Sequence, residues 1–161
     1  MDSYRGDVYT NPQYKDVMLN QSYIRQRIHR KSPLVLVVDD NEDNIIYACG
    51  SLKLFEYKHL VATNARTAFD IAVDKLPDLI LLDVVMPRMS GIELAQRLKR
   101  NPLTNHIPIV AVTGLAYAHQ KQQIMDAGCD DYIVKPYLIE KLEKKLFDFL
   151  NFNISNLYSN N

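Results

Sequence analysis

The chain carries no net charge. In 161 residues, 19 Lys and Arg stand against 19 Asp and Glu, with a sequence pI of about 6.9. This balance excludes nucleic-acid proteins whose whole surface is basic. Cysteine is almost missing as well. Cys49 and Cys129 lie far apart and form no C-x-x-C pair, which suits a reducing compartment and two buried thiols. No apolar run is long enough to span a bilayer, and the N-terminus has no signal-peptide core. The expectation is a cytoplasmic protein with no membrane span. Hydrophobic residues make up 47% of the chain, a globular composition, and the length suits one domain with a sizeable core plus tails.

The first 32 residues are polar, carry four Tyr (Tyr4, Tyr9, Tyr14, Tyr23) and end in a basic stretch, Arg25 to Lys31. They read as a flexible extension, or as a short docking helix on a weak stripe through Tyr14, Val17, Gln21, Ile24 and Ile28, which the polar Gln21 interrupts. Regular patterning starts at Pro33. Leu34–Val38 is an apolar strand ending in Asp39 and Asp40, and a helix to Phe55 follows with Asn41 as N-cap and Ile45, Ile46, Cys49 and Leu52 inward. His59–Ala62 is a second strand, and Asn64 caps a helix through Lys75. Asp78–Asp83 is a third strand with no alternation, the mark of a strand buried on both faces. Ser90 and Glu93 match a capping box for the third helix, and Gly91 reads as turn chemistry. Ile107–Val112 is the fourth strand, ending at Thr113 and Gly114. A helix from Tyr117 to Ala127 stops at Gly128. Tyr132–Val134 leads to Lys135 and Pro136, a candidate cis bond. Leu138–Leu150 is the last helix, and residues 152–161 form an Asn- and Ser-rich tail with no period.

Five strand–helix repeats in strict alternation give an α/β domain, residues 33–151, with helices on both faces of one parallel sheet. No second domain is encoded within these residues, so any output is expected to be a protein contact. All strand-end signals then fall on the carboxyl edge, where open α/β sheets bind ligands. Asp39, Asp40 and Asp83 brought together repel one another and raise one another's pKa. A hard divalent cation relieves this, and oxygen-only ligands select Mg²⁺, or Mn²⁺, over zinc. Lys135 adds an ammonium, Thr113 a hydroxyl, and Gly114 lets the backbone come close. The set describes a phosphoryl-transfer site with Asp83 as nucleophile.

Asp39-Asp40, Asp83 with Met86-Pro87 and Gly91, Thr113-Gly114, and Asp131-Tyr132-Ile133-Val134-Lys135-Pro136 resemble the receiver domain of two-component response regulators, here of the single-domain type. The resemblance implies a doubly wound, flavodoxin-like sheet of order 2-1-3-4-5, an order known for a chemotaxis member of the family. It implies that Asp83 takes a phosphoryl group from a phosphohistidine of a sensor histidine kinase or a phosphotransfer domain. Asp40, Asp83 and the Val85 carbonyl would hold Mg²⁺, with Asp39 acting through water. Lys135 would pair with a phosphoryl oxygen, and Thr113 and Tyr132 would move as switch residues. The fourth helix, fifth strand and fifth helix would contact a downstream protein or a second copy, with no direct role for nucleic acid. No enzymatic turnover beyond self-phosphorylation and autodephosphorylation is implied.

Two rivals fail on residues. A haloacid-dehalogenase phosphatase needs an acid two positions after its nucleophile, and that position is Val85. A flavodoxin-type cofactor binder needs Ser, Thr and Gly after strand one, where Asp39-Asp40-Asn41-Glu42-Asp43 would repel phosphate. The remaining alternative is a receiver-fold interaction module that works without phosphorylation. Val85 and Leu115 flank the expected line of water attack, and neither can orient a water, so a long-lived phosphoryl group is expected.

Overall fold

The computed structural model describes residues 32–114 and 117–158, with side chains through Leu150. The expected N-terminal extension and Leu115 lie outside the described residues. The rest falls in one compact unit that begins at Ser32. Its elements in order are β1 (Leu34–Val38), α1 (Glu42–Leu54), β2 (Lys58–Ala62), α2 (Ala65–Lys75), β3 (Leu79–Asp83), α3 (Gly91–Arg100), β4 (Ile109–Thr113), α4 (Ala118–Asp126), β5 (Asp131–Val134) and α5 (Ile139–Tyr158). All four strand pairings are parallel, and the sheet order is β2-β1-β3-β4-β5. Asn41, Asn64 and Ser90 each accept a backbone N–H three residues on, so the three caps form where short polar side chains precede a helix.

The sheet separates two apolar layers because β-strand side chains alternate. Val35, Val37, Leu79, Leu81, Val110, Val112 and Ile133 face α1 and α5, meeting Ala48, Leu52, Leu142, Leu146 and Leu150. Leu36, Val38, Ile80, Leu82, Ile109 and Ala111 face the other way, against Ala68, Ala72, Leu94, Leu98 and Ile124. At the bottom edge, Asp78 Oδ2 accepts the Leu34 N–H at 2.8 Å and ties the starts of β1 and β3 together. Lys99 ties the start of β4 to the turn before β5. Its ammonium donates to the Ile107 carbonyl at 2.9 Å and to Asp130 at 3.0 Å, and Asp130 accepts the Ile109 N–H.

Three expectations about elements need correction. Ile46 does not pack inward; it is 62% exposed. One helical position is 100° of turn, and the buried face of α1 runs through Ala48, Ser51 and Leu52 instead. β4 starts at Ile109 rather than Ile107, because Pro108 has no N–H for the ladder, although its carbonyl accepts from Ile80. α5 does not end at Leu150 but continues to Tyr158. The tail's Asn and Ser are weak helix formers, yet it holds no Gly or Pro to stop a helix already propagating from docked turns.

Candidate phosphoryl-transfer and metal site

Strand parity assembles the site. Asp39 continues the row Val35–Val37, and Asp83 continues the row Leu79–Leu81 on the neighbouring strand. Both acids therefore leave the same sheet face at the same edge. Both are buried, at 5% and 6% exposure, whereas Asp40 is exposed. Oxygens of Asp39, Asp40 and Asp83 lie within 4.8 Å of one another. Lys135 follows Ile133 on the same face and reaches back to both buried acids, with Nζ 3.2 Å from Asp39 Oδ2 and 3.5 Å from Asp83 Oδ1. The Lys135–Pro136 peptide is cis.

The remaining lone pairs of the acids are used in an orderly way. Asp39 Oδ1 accepts the Asn41 N–H at 2.9 Å and the Asn44 side-chain amide at 3.3 Å. Asp83 Oδ1 accepts the Val85 N–H at 3.2 Å. Burial first, and then the Asp39 charge, push the Asp83 carboxyl above its ordinary pKa, against the lowering effects of Lys135 and the Val85 N–H. An oxygen-only set of three clustered carboxylates, two of them buried with a single ammonium between them, fits a hard divalent cation such as Mg²⁺.

The raised Asp83 pKa has a definite sign for stability. Between its ordinary pKa and its folded pKa, the folded state binds more protons than the unfolded chain. Stability therefore falls as pH climbs through that window, and the loss is complete above it. Metal-free Asp83→Asn is expected to melt above the unmodified protein at neutral pH, and the gap should close below the ordinary carboxylate range. Equal melting at neutral pH in a chelator would contradict this.

Thr113 and Tyr132 sit on the opposite sheet face from the acids. Thr113 follows Ile109 and Ala111 in register and is fully buried, and its carbonyl accepts the Lys135 N–H at 2.8 Å. Tyr132 pairs with Ala111, packs half-buried against the same layer, and has the Lys121 ammonium 5.4 Å from its ring centroid. Gly114 is exposed, and an added Cβ there would meet nothing within 4 Å among the described residues. Val85 is 58% exposed beside Asp83.

Gly91 needs correction, because it is more than turn chemistry. A Cβ at this position would sit 2.2 Å from the Asp83 carbonyl oxygen and 2.8 Å from the Val84 Cα. The Gly91 N–H donates to the Val84 carbonyl at 3.0 Å. The start of α3 is thus pressed onto the backbone that carries Asp83. The sequence held a signal for this, since Gly is a poor residue at the first position of a helix unless backbone must approach backbone. Asn44 was also missed. Its signal was its place in the first turn of α1, one turn from the strand end that holds Asp39.

Comparison with known proteins agrees with this geometry. The family model of the response regulator receiver domain matches residues 35–147. The phosphate regulon transcriptional regulatory protein PhoB of Pseudomonas aeruginosa is 42% identical over 112 residues, covering 70% of this chain and 49% of PhoB. The polar-differentiation response regulator DivK of Brucella anthropi is 33% identical over 116 residues, covering 72% of this chain and 94% of DivK. The chain thus spans about half the length of PhoB and nearly all of DivK. Among solved structures, the chemotaxis protein CheY4 of Vibrio cholerae matches with a TM-score of 0.70 at 28% identity, covering 73% of this chain and 98% of that one.

Proposed function

The chain belongs to the receiver domains of two-component response regulators, and from this premise we propose that Asp83 accepts a phosphoryl group from a phosphohistidine of a sensor kinase or phosphotransfer domain. One observation carries the reading: the buried Asp83 carboxylate faces an ammonium at 3.5 Å and shares a 4.8 Å cluster with two further acids. In the step, an Asp83 oxygen attacks phosphorus while the phosphorus–nitrogen bond to the donor imidazole breaks. That nitrogen keeps the electron pair, and an acyl phosphate forms.

Each neighbour has a role in this reading. Asp40, Asp83 and the Val85 carbonyl would hold Mg²⁺, with Asp39 acting through water. When bound, the ion would cancel the carboxylate charge that otherwise repels an incoming phosphoryl group. Lys135 leaves its pairing with Asp39 and Asp83 to hold a phosphoryl oxygen. The Gly114 N–H would donate to another oxygen. Thr113 and Tyr132 share the sheet face that leads to α4. A Thr113 hydroxyl drawn over the carboxyl edge toward a phosphoryl group on Asp83 would leave room on its own face for the Tyr132 ring to follow, biasing a two-state surface of α4, β5 and α5 toward a protein partner or a second copy.

Incubation with Mg²⁺ and acetyl phosphate, followed by intact mass, tests the reading. One phosphate increment is expected, lost in Asp83→Ala. No increment, or one that survives the substitution, would favour an interaction module that works without phosphorylation. The increment should also persist for hours without a phosphatase, because the exposed Val85 side chain cannot orient an attacking water. Loss within minutes would contradict that role for Val85.

A further inference from the structure

The α1 side of the core does not close under the carboxylates. A cavity of about 380 Å³ runs from Asp39 and Asp83 down the sheet face to Val37, Leu81 and Val112, with Ala48 of α1 as its far wall. Tyr47 and Tyr137 form its outer wall. Their rings meet edge to face at 5.4 Å between centroids, and the Tyr47 hydroxyl donates to the Tyr137 carbonyl at 3.1 Å. This volume and apolar lining, with polar groups gathered at one end, fit a small-molecule site. The polar end has a definite sign: Asp39 and Asp83 against Lys135, with the Asp40 carboxylate beside them, leaves excess negative charge. Burial pushes the Tyr137 phenol up to about 12, so that ring stays neutral.

We propose that this chamber binds a small organic cation, a primary ammonium or amidinium on a flat apolar body. The cationic head sits against Asp39 and Asp83, and the body lies among Val37, Leu81, Val112 and the two tyrosines. Aromatic walls next to a carboxylate pair suit such a cation on two grounds, ring quadrupole and full charge. An occupant of this kind takes the oxygens a divalent ion needs and stands against the carboxylate that attacks phosphorus. It therefore lowers metal affinity and blocks phosphorylation. The block rests on Asp83 being the phosphoacceptor; the binding does not.

The probes are benzamidinium, its neutral analogue benzamide and its anionic analogue benzoate, titrated into the full chain and followed by calorimetry. Benzamidinium is expected to saturate, and saturating Mg²⁺ to weaken it about tenfold, as competition for the same carboxylates requires. Benzamide and benzoate should bind at least about tenfold more weakly. Ala48→Leu fills the far wall and should weaken benzamidinium about tenfold while the protein still melts cooperatively. If that variant does not fold, Tyr47→Ala, at a half-exposed position, removes half the aromatic wall and should weaken binding in the same direction. No saturation at millimolar benzamidinium, equal binding of benzamide or benzoate, indifference to Mg²⁺, or unchanged affinity in folded Ala48→Leu or in Tyr47→Ala would each overturn the proposal. Failure of acetyl phosphate to label the protein would remove only the block, not the site.

Discussion

Lys135→Met is expected to slow phosphorylation of Asp83 by acetyl phosphate by about 10²–10³-fold, the usual cost of removing one preorganised charge partner from a reacting centre. The ammonium is the one cation within 4 Å of both buried acids among the described residues. Without it, Asp39 and Asp83 face each other across a buried edge, and the Asp83 pKa, already raised by burial and by Asp39, rises further. Fewer molecules then present a carboxylate, and no side chain neutralises the incoming phosphoryl oxygens. Raising Mg²⁺ should recover part of the first loss and none of the second. Lys135→Arg restores the charge but spreads it over a rigid fork, so it should recover the Asp83 pKa better than the rate. Quench-and-mass kinetics as a function of pH and Mg²⁺ separate the two effects. A rate within a few-fold of the unmodified protein would contradict the role given to Lys135.

Gly91→Ala is the second large effect, although it adds only one methyl group. Its Cβ would lie 2.2 Å from the Asp83 carbonyl oxygen, 2.8 Å from the Val84 Cα and 3.0 Å from the Asp83 carbonyl carbon. All three are backbone atoms that cannot rotate away. Either α3 lifts at its first turn and gives up the bond from the Gly91 N–H to the Val84 carbonyl, or the end of β3 shifts. Overpacking of this kind costs about 1–3 kcal/mol, and the rigid partners place it at the upper end. Whatever folded protein remains should also phosphorylate more slowly, because Val84 and Val85 move with the strand end. Gly114→Ala is the matched control. Its Cβ meets nothing within 4 Å among the described residues, so urea titration should show little loss of stability there. Equal stability losses at the two glycines would contradict the account.

How much of this was legible in the sequence depends on which force acts at each position. The parallel sheet and the gathering of its strand ends at one edge were readable because strict strand–helix alternation makes every strand run the same way. Apolar runs that end in Asp39, Asp83 and Thr113 can only present those groups at one edge once the strands are parallel. Caps at Asn41, Asn64 and Ser90 were readable because the stabilising bond is local. What failed depended on contacts between distant segments. Ile46 looked inward until the neighbours of α1 fixed its rotation. Gly91 looked like a turn residue because the backbone it touches lies seven and eight positions away, packed through the fold rather than through the chain. The end of α5 was misplaced because composition marks Asn and Ser as poor helix formers, and a helix held by its earlier docked turns can carry several of these. The chamber under the carboxylates could not be read at all, since a space is defined by the residues that fail to meet.

The claim at the centre is that Asp83 is the residue that takes the phosphoryl group. Borohydride reduction of the protein labelled by acetyl phosphate and Mg²⁺ converts an aspartyl phosphate to homoserine, and peptide mass spectrometry locates it. Homoserine at position 83 and at no other acid is the predicted result. Homoserine at Asp39 or Asp40, or a labelled protein that yields none, would contradict the account.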